Sequence, residues 1–388
     1  ASIDLLRGVV VMLMALDHTR AYFHADAMLF APADLTHTTV PIFLTRWITH
    51  FCAPAFVFLA GASAFLIGLR KSTKNLSLFL LARGSWLVFL ELTIVNFGWS
   101  FNIHLPFFVL GVIWALGISM IALACLVYLP YRIILSIGLL IVFGHNLLDT
   151  IPGPGDNIKA FLWYVLHESN FNNPAYWFRF LGRTIVIDYS VLPWIGVIAL
   201  GYCCGYVYQP QIPAAVRKKW LFIIGGATTL LFIVLRIVNI YGDSRPWAVQ
   251  HSAAFSFLSF LRVTKYPPSL QFILMTLGPA ILFLALTEKR VGLLAKPVLH
   301  VGRVPMFFYL THIYLIHALA LIAAKLTGYN WEQMVSQQPL TPIIKRYGFS
   351  LGMVYFVWIV ILATLYPLCK WYDKYKSSHK EKWWLSYL

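Results

Sequence analysis

The residues of this chain that could do chemistry sit inside apolar segments, where they are least expected. The first such segment carries Asp4, Arg7, Asp17, His18, Arg20 and His24. Polar groups at membrane depth are costly and mark pairs, pathways or catalysis. On a helix, His18 lies about 16 Å beyond Arg7, and His24 about 9 Å beyond that. A neutral imidazole is a general base near neutral pH. A guanidinium grips phosphate through a planar fork. One helix could therefore hold an anion-binding mouth at Arg7 and a proton-transfer centre toward its other end. Asp17 points about 100° away from His18, so it is expected to orient a histidine elsewhere or to hold Arg20 or Arg46.

Two further polar islands follow. Glu91 and Asn96 share one apolar segment, roughly 140° apart in helical phase. A buried carboxylate such as Glu91 needs a partner or a proton. Later, Gly302-Arg303-Val304-Pro305 leads into Tyr309, Thr311, His312 and His317, with Tyr309 and His312 on one helical face. Each island also has a plain reading as a seam that ties helices together. Periodicity leaves the two readings open.

Membrane helices must position these groups. Of 388 residues, 60% are apolar and 11% charged, against roughly a quarter charged in soluble domains. Windows of about 20 residues predict ten spans near 5–24, 48–69, 78–98, 106–128, 131–148, 189–208, 219–241, 268–287, 303–324 and 347–370. The expected fold is an all-α integral membrane protein forming a single domain over 1–388. Within it, 149–188 is a long loop carrying Pro152-Gly153-Pro154-Gly155 and Asn172-Asn173-Pro174, and loops of that length are usually functional. The net charge of +16 comes from short basic clusters between apolar runs, an orientation signal and not a nucleic-acid footprint. Arg70, Lys71, Lys74, Arg217, Lys218, Lys219, Lys289, Arg290 and the lysines of the C-terminal tail fall on one side, which predicts both termini in the cytoplasm. Cys52, Cys125, Cys203, Cys204 and Cys369 lack zinc-ligand spacing, so no metal is expected. The first apolar run has no small-residue cleavage site, so no signal peptide is expected. No internal repeat supports an inverted-repeat transporter.

At the motif level the chain resembles a known family. Ser2-Ile3-Asp4-Leu5-Leu6-Arg7-Gly8 followed by His18 resembles the Arg-x10-His opening of many integral-membrane acyltransferases. Phe51-Cys52-Ala53-Pro54-Ala55-Phe56-Val57-Phe58-Leu59-Ala60-Gly61 is similar to that group's second-helix signature, and Arg83 to Trp86 through Glu91 to Asn96 to its third-helix block. With Pro193-Trp194-Ile195-Gly196, Lys265-Tyr266-Pro267-Pro268 and Gly302 to His312, the whole chain resembles the bacterial branch related to lysosomal heparan-α-glucosaminide N-acetyltransferase. The resemblance implies a multi-pass enzyme of the bacterial inner membrane. It would use cytosolic acetyl-CoA as co-substrate to acetylate an extracytoplasmic acceptor, a sugar or glycan. It leaves a homodimer open.

For the catalytic base the resemblance offers two positions. Tyr22-Phe23-His24 fits the lysosomal relative's histidine after a Tyr-Phe pair, whereas the broader acyltransferases place theirs at His18, where that relative has Asn. Asp17 joins them as a catalytic candidate. Arg7, Arg83, Arg303 and Asn96 would serve the donor site. Lys265, Tyr266, Trp194, Glu91, Tyr309 and His312 would line the acceptor site.

Two other classes stay in view. Intramembrane carboxylates and histidines would also suit a proton-coupled transporter or flippase of a sugar or lipid-linked glycan, which should bind no CoA. In a non-catalytic scaffold the same residues would only pair helices.

Overall fold

The computed structural model describes residues 2–27, 29–151, 157–168, 173–288, 292, 295–335, 347–382 and 384–385. The 152–155 Pro-Gly run, Asn172, Lys289 and Arg290 lie outside them. Among the described residues, six helical stretches are long and apolar enough to cross a membrane. They are α2–α3 (Val40–Thr49 and Cys52–Gly68), α4–α5 (Thr73–Leu90 and Asn96–Ser100), α7 (Tyr131–Gly144, with the turn after it), α10 (Ala214–Val238), α14 (Pro305–Leu326) and α15 (Leu351–Ser378). Three shorter apolar helices are α6 (Val112–Leu126), α9 (Leu192–Cys204) and α12 (Leu270–Leu286). Only 22% of the most apolar window of α10 and 17% of that of α15 is buried. Leu230, Ile237, Phe356 and Trp371 stand exposed along them. Apolar faces this extensive are lipid-facing, so the chain is a membrane protein.

The charged first helix, α1 (Ser2–Phe23), is kept from lipid by its neighbours. It packs on α2, α3, α12, α14, α15 and α13 (Lys296–Arg303). The approach of α13 depends on glycine. A Cβ on Gly302 would lie 1.9 Å from the Asp4 carbonyl oxygen, and one on Gly8 2.1 Å from that of Val298. Backbones can meet this closely only where no side chain intervenes.

Several expected spans are built differently. The 106–128 run is not one helix: Phe107–Leu110 forms β1, Gly111 is extended, and α6 starts at Val112. β1 pairs in parallel with β3 (Arg183–Ile187), Phe107 opposite Thr184, and β3 pairs antiparallel with β2 (Trp177–Phe180). The β2–β3 turn places Leu181 and Gly182 at positive φ, the geometry of a tight hairpin. The 149–188 loop thus has structure of its own, including α8 (Ile158–Leu166). The 243–267 loop carries α11 (Ala253–Leu261). Between α4 and α5 the helix widens into a π turn over Glu91–Val95. Such turns recur at functional sites.

Asn96 and Glu91 explain the β1–α6 junction. The Asn96 amide nitrogen donates to the carbonyls of Glu91 (2.5 Å) and Val109 (3.1 Å), and its oxygen accepts the Val109 N–H at 2.8 Å. The side chain thereby acts as a ladder partner for β1. Glu91 accepts the Trp114 N–H at 2.9 Å, placing a carboxylate at the positive N-terminus of α6.

Candidate active site

α1 carries His18 to the middle of a ring of aromatic side chains. Its imidazole meets Trp99 edge-on at 4.7 Å, stacks on His312 of α14 at 5.0 Å and lies 6.3 Å from Tyr309. His18 Nδ1 is 2.7 Å from His312 Nε2. His312 Nδ1 in turn lies 3.0 Å from the Phe308 carbonyl oxygen. A carbonyl only accepts, so His312 Nδ1 carries a proton. Neutral His312 then offers Nε2 as acceptor, and His18 donates from Nδ1. The remaining nitrogen of His18, Nε2, holds a lone pair. Fully buried His312 thus sets the tautomer of half-buried His18.

Asp17 does not face this pair. Its carboxylate bonds Arg20 (3.2 Å) and, through a very short contact, Arg46 of α2. Arg46 reaches the Tyr266 hydroxyl at 3.5 Å. The Lys265 ammonium lies 5.0 Å over the Tyr266 ring and 5.8 Å over that of Tyr189, and Tyr189 packs 5.5 Å from Trp194. Asp17, Asp188, Arg20, Arg46 and Lys265 act on one another electrostatically in this cluster. Two donor-capable nitrogens in the surrounding structure, Trp194 Nε1 and His50 Nδ1, are buried without a hydrogen-bond partner among the described residues. Orphaned groups of this kind are rare and call for water or a ligand.

His24 is placed differently. It ends α1 in a backbone bridge to Phe349, and its Nδ1 accepts the Asp26 N–H at 3.2 Å. Neutral His24 therefore carries its proton on Nε2 and has no lone pair free. Its ring serves the chain turn, where Gly348, at φ 129°, packs onto Ala25.

The arginines expected at a donor site lie at the other end of α1. A cavity of about 530 Å³ there is lined by Asp4, Arg7, Ser63, Tyr208, Arg217 and Glu288, among others. Arg7 bonds Asp4 (3.2 Å) and Ser63 (3.0 Å), and Arg217 bonds Glu288 (2.5 Å). Arg83 and Arg7 both act electrostatically on Lys376 of α15. Arg303 is instead held by Asp373, at 3.4 Å, beside His300 at 2.6 Å.

Tertiary packing therefore gathers His18, His312 and Tyr309 around one point and builds an adjoining polar cluster from Asp17, Lys265, Tyr266 and Trp194, whose Asp17 and Lys265 act electrostatically on His18. Arg7, Arg83 and Arg303 fall at the opposite end. Glu91 and Asn96 hold the β1–α6 junction, with Glu91 close enough to act electrostatically on Tyr309. Sequence reasoning missed Trp99, Tyr189 and His50. Trp99 stands at the predicted end of the 78–98 span, where a tryptophan reads as an interfacial anchor, so no local signal marked it. No group of three or more His, Cys, Asp or Glu able to hold a metal ion occurs among the described residues.

Comparison with known proteins adds a family to this geometry. The family model for heparan-alpha-glucosaminide N-acetyltransferase, catalytic, matches residues 1–237. No curated protein matches the chain. The match spans α1 through α9 and most of α10, and so includes His18, His24, Arg7 and Arg83, while His312 lies beyond it. With more than half of the chain matched, and with apolar helices of membrane length around a hydrogen-bonded histidine pair, this protein belongs to the heparan-α-glucosaminide N-acetyltransferase family and is a membrane acetyltransferase.

Proposed function

We propose that the protein transfers the acetyl group of cytosolic acetyl-CoA to a sugar or glycan on the far side of the bacterial inner membrane, with His18 as base. The observation that carries this reading is the free Nε2 lone pair of His18, fixed by the hydrogen bond to His312. As the acceptor oxygen or nitrogen bonds to the acetyl carbonyl carbon, its proton passes to His18 Nε2. The carbon–sulfur bond then breaks, and the imidazolium returns the proton to the thiolate. Tyr309, 6.3 Å from His18 between ring centres, shares a helix face with His312 and supplies a hydroxyl to steady the oxyanion.

The topology that fits has ten crossings: the six long helices, the three shorter ones and α1, with Ser2 and the end of α15 in the cytosol. The cavity at Arg7 then opens to the cytosol, where Arg7, Arg83 and Arg217 suit a phosphate-bearing donor. The thioester lies on a long arm that can follow α1 toward His18. The Lys265–Tyr266–Trp194 cluster faces the other way and suits a hydroxylated acceptor. Trp194 Nε1 and His50 Nδ1 are two orphaned polar atoms that such a ligand could satisfy.

Calorimetric titration of the detergent-purified protein with acetyl-CoA and CoA tests the donor half. Saturable binding in the micromolar range is expected. A flat titration at millimolar ligand would remove the donor site and favour a carrier. Transfer of labelled acetyl to amino-sugar-terminated glycans enclosed in liposomes tests the acceptor half.

A further inference from the structure

A second, unrelated cavity lies at the His24 end of the bundle, and its lining is basic. It measures about 150 Å³ and is lined by Arg236, Arg245 and Arg262 together with Thr36, Gln250 and Ser259. Arg236, in the last turn of α10, is 1% exposed. All five of its N–H groups point at neutral acceptors. Nε donates to the Phe260 carbonyl (2.8 Å), and Nη1 to the Arg245 carbonyl (2.9 Å) and the Gln271 amide oxygen (3.1 Å). Nη2 donates to the carbonyls of Ser259 (2.9 Å) and Arg262. Arg236 thus has no donor left for a ligand, but it pins the backbones that carry the other two arginines and adds a charge beneath them that no carboxylate pairs directly.

The nearby carboxylates Asp243 and Asp34 act on Arg236 and Arg262 only through space, and their hydrogen bonds go elsewhere. Asp243 accepts the Arg245 and Thr264 N–H groups (2.8 and 2.7 Å) and the hydroxyls of Thr264 and Ser269 (2.9 and 2.6 Å). Asp34 bonds Thr36 and His37. Among the described residues none of the three arginines makes an ion pair with a carboxylate. The Nε of Arg262 is buried with no partner among them. A buried, unsatisfied guanidinium donor beside two like charges is costly unless an anion completes it.

We propose that this cavity is a binding site for a phosphate or sulfate group, held by Arg262 and Arg245 over the fixed charge of Arg236. Its volume is below the roughly 300–1,000 Å³ of pockets for whole drug-sized ligands, so it takes a single oxyanion group, either a free ion or the headgroup of a phospholipid. Leu35 of its lining belongs to an apolar cluster with Phe43 and Leu258, on which Trp47 and Val40 pack. None of the cavity's lining residues belongs to the acetyl-transfer centre.

The test is thermal unfolding of the full chain in a neutral detergent, titrated with inorganic phosphate or sulfate against sodium chloride of matched ionic strength. The wild type should show a saturable rise in Tm specific to the oxyanion. Arg262→Gln and Arg245→Gln, each checked for native circular dichroism, should weaken the apparent affinity about tenfold or more. The same titration in phosphatidylglycerol nanodiscs distinguishes the source: loss of the phosphate response identifies a lipid headgroup, and its retention a soluble anion. A wild type that responds no more to phosphate or sulfate than to chloride, or folded variants that bind as the wild type does, would overturn the proposal.

Discussion

His18 Nδ1 and His312 Nε2 lie 2.7 Å apart, and the second histidine is anchored at 3.0 Å to the Phe308 carbonyl of its own helix. Because the anchor can only accept, the chain of bonds has a direction, and that direction leaves the outward nitrogen of His18 basic. Partners of this kind fix ring orientation and tautomer, and their loss typically lowers activity by about 10–100-fold at metal-bound histidines. His312→Ala should lower kcat by a similar factor, about 10–100-fold, with little change in KM for acetyl-CoA. His312→Gln keeps an acceptor for His18 and should recover part of the loss. Equal defects in the two variants would show that His312 only packs.

His18 within α1 and His24 just past its end should separate cleanly. His18→Ala removes the base and should cut turnover by about 10²–10⁴-fold. His24→Ala breaks a turn contact to Asp26 and should leave most of the turnover in protein that still folds. Turnover measured on both variants decides the matter, since an inactive His24→Ala beside an active His18→Ala reverses the assignment.

The Asp17 carboxylate, between Arg20 and Arg46, predicts strong coupling. Asp17→Asn leaves Arg20 and Arg46 without their carboxylate and should destabilise by about 3–5 kcal/mol, whereas Arg46→Gln leaves Asp17 paired with Arg20 and should cost less. The double variant should lose less than the sum. Denaturation of all three variants gives the coupling energy, and simple additivity would mean that the pair contributes little.

Gly302 offers a steric test. A Cβ at this position would sit 1.9 Å from the Asp4 carbonyl oxygen, so Gly302→Ala must push α13 off α1, which should cost about 1–3 kcal/mol. The shift also moves the start of α1, and with it Asp4 and its ion-pair partner Arg7. Acetyl-CoA affinity should therefore fall along with stability. Thermal unfolding and calorimetric titration of the variant check the two consequences, and unchanged affinity would separate the cavity at Arg7 from the donor site.

Arg83→Ala and Arg7→Ala each remove one cation from the same end of the bundle. Each should weaken acetyl-CoA binding by about tenfold while leaving binding salt-sensitive through the remaining arginine. Titration at two ionic strengths reads both effects. Wild-type affinity in either variant takes that residue out of the donor site.

Much of the architecture was legible in the residues themselves. Runs such as 219–241 and 303–324 are long, apolar and nearly free of charge, and a bilayer leaves such runs no choice but helix. The charges of α1 were equally visible, because Asp17, His18 and Arg20 interrupt an apolar helix where lipid would reject them. Local pattern could not show that Phe107 to Leu110 is a strand. A continuous apolar run reads alike as helix or buried strand, and the partner that decides it, Thr184 to Ile187, lies far along the chain. The same limit applied at the site. Sequence offered His18 and His24 as the base without choosing between them and put His312 in the acceptor site, because the tautomer of a histidine depends on which group meets each nitrogen. His18 meets His312 from a helix almost three hundred residues later, and His24 meets the next turn of its own chain. Residue type and helical period are local properties, so they were written in the sequence. The direction of a hydrogen bond between distant helices is a property of their packing, and only the tertiary structure decided it.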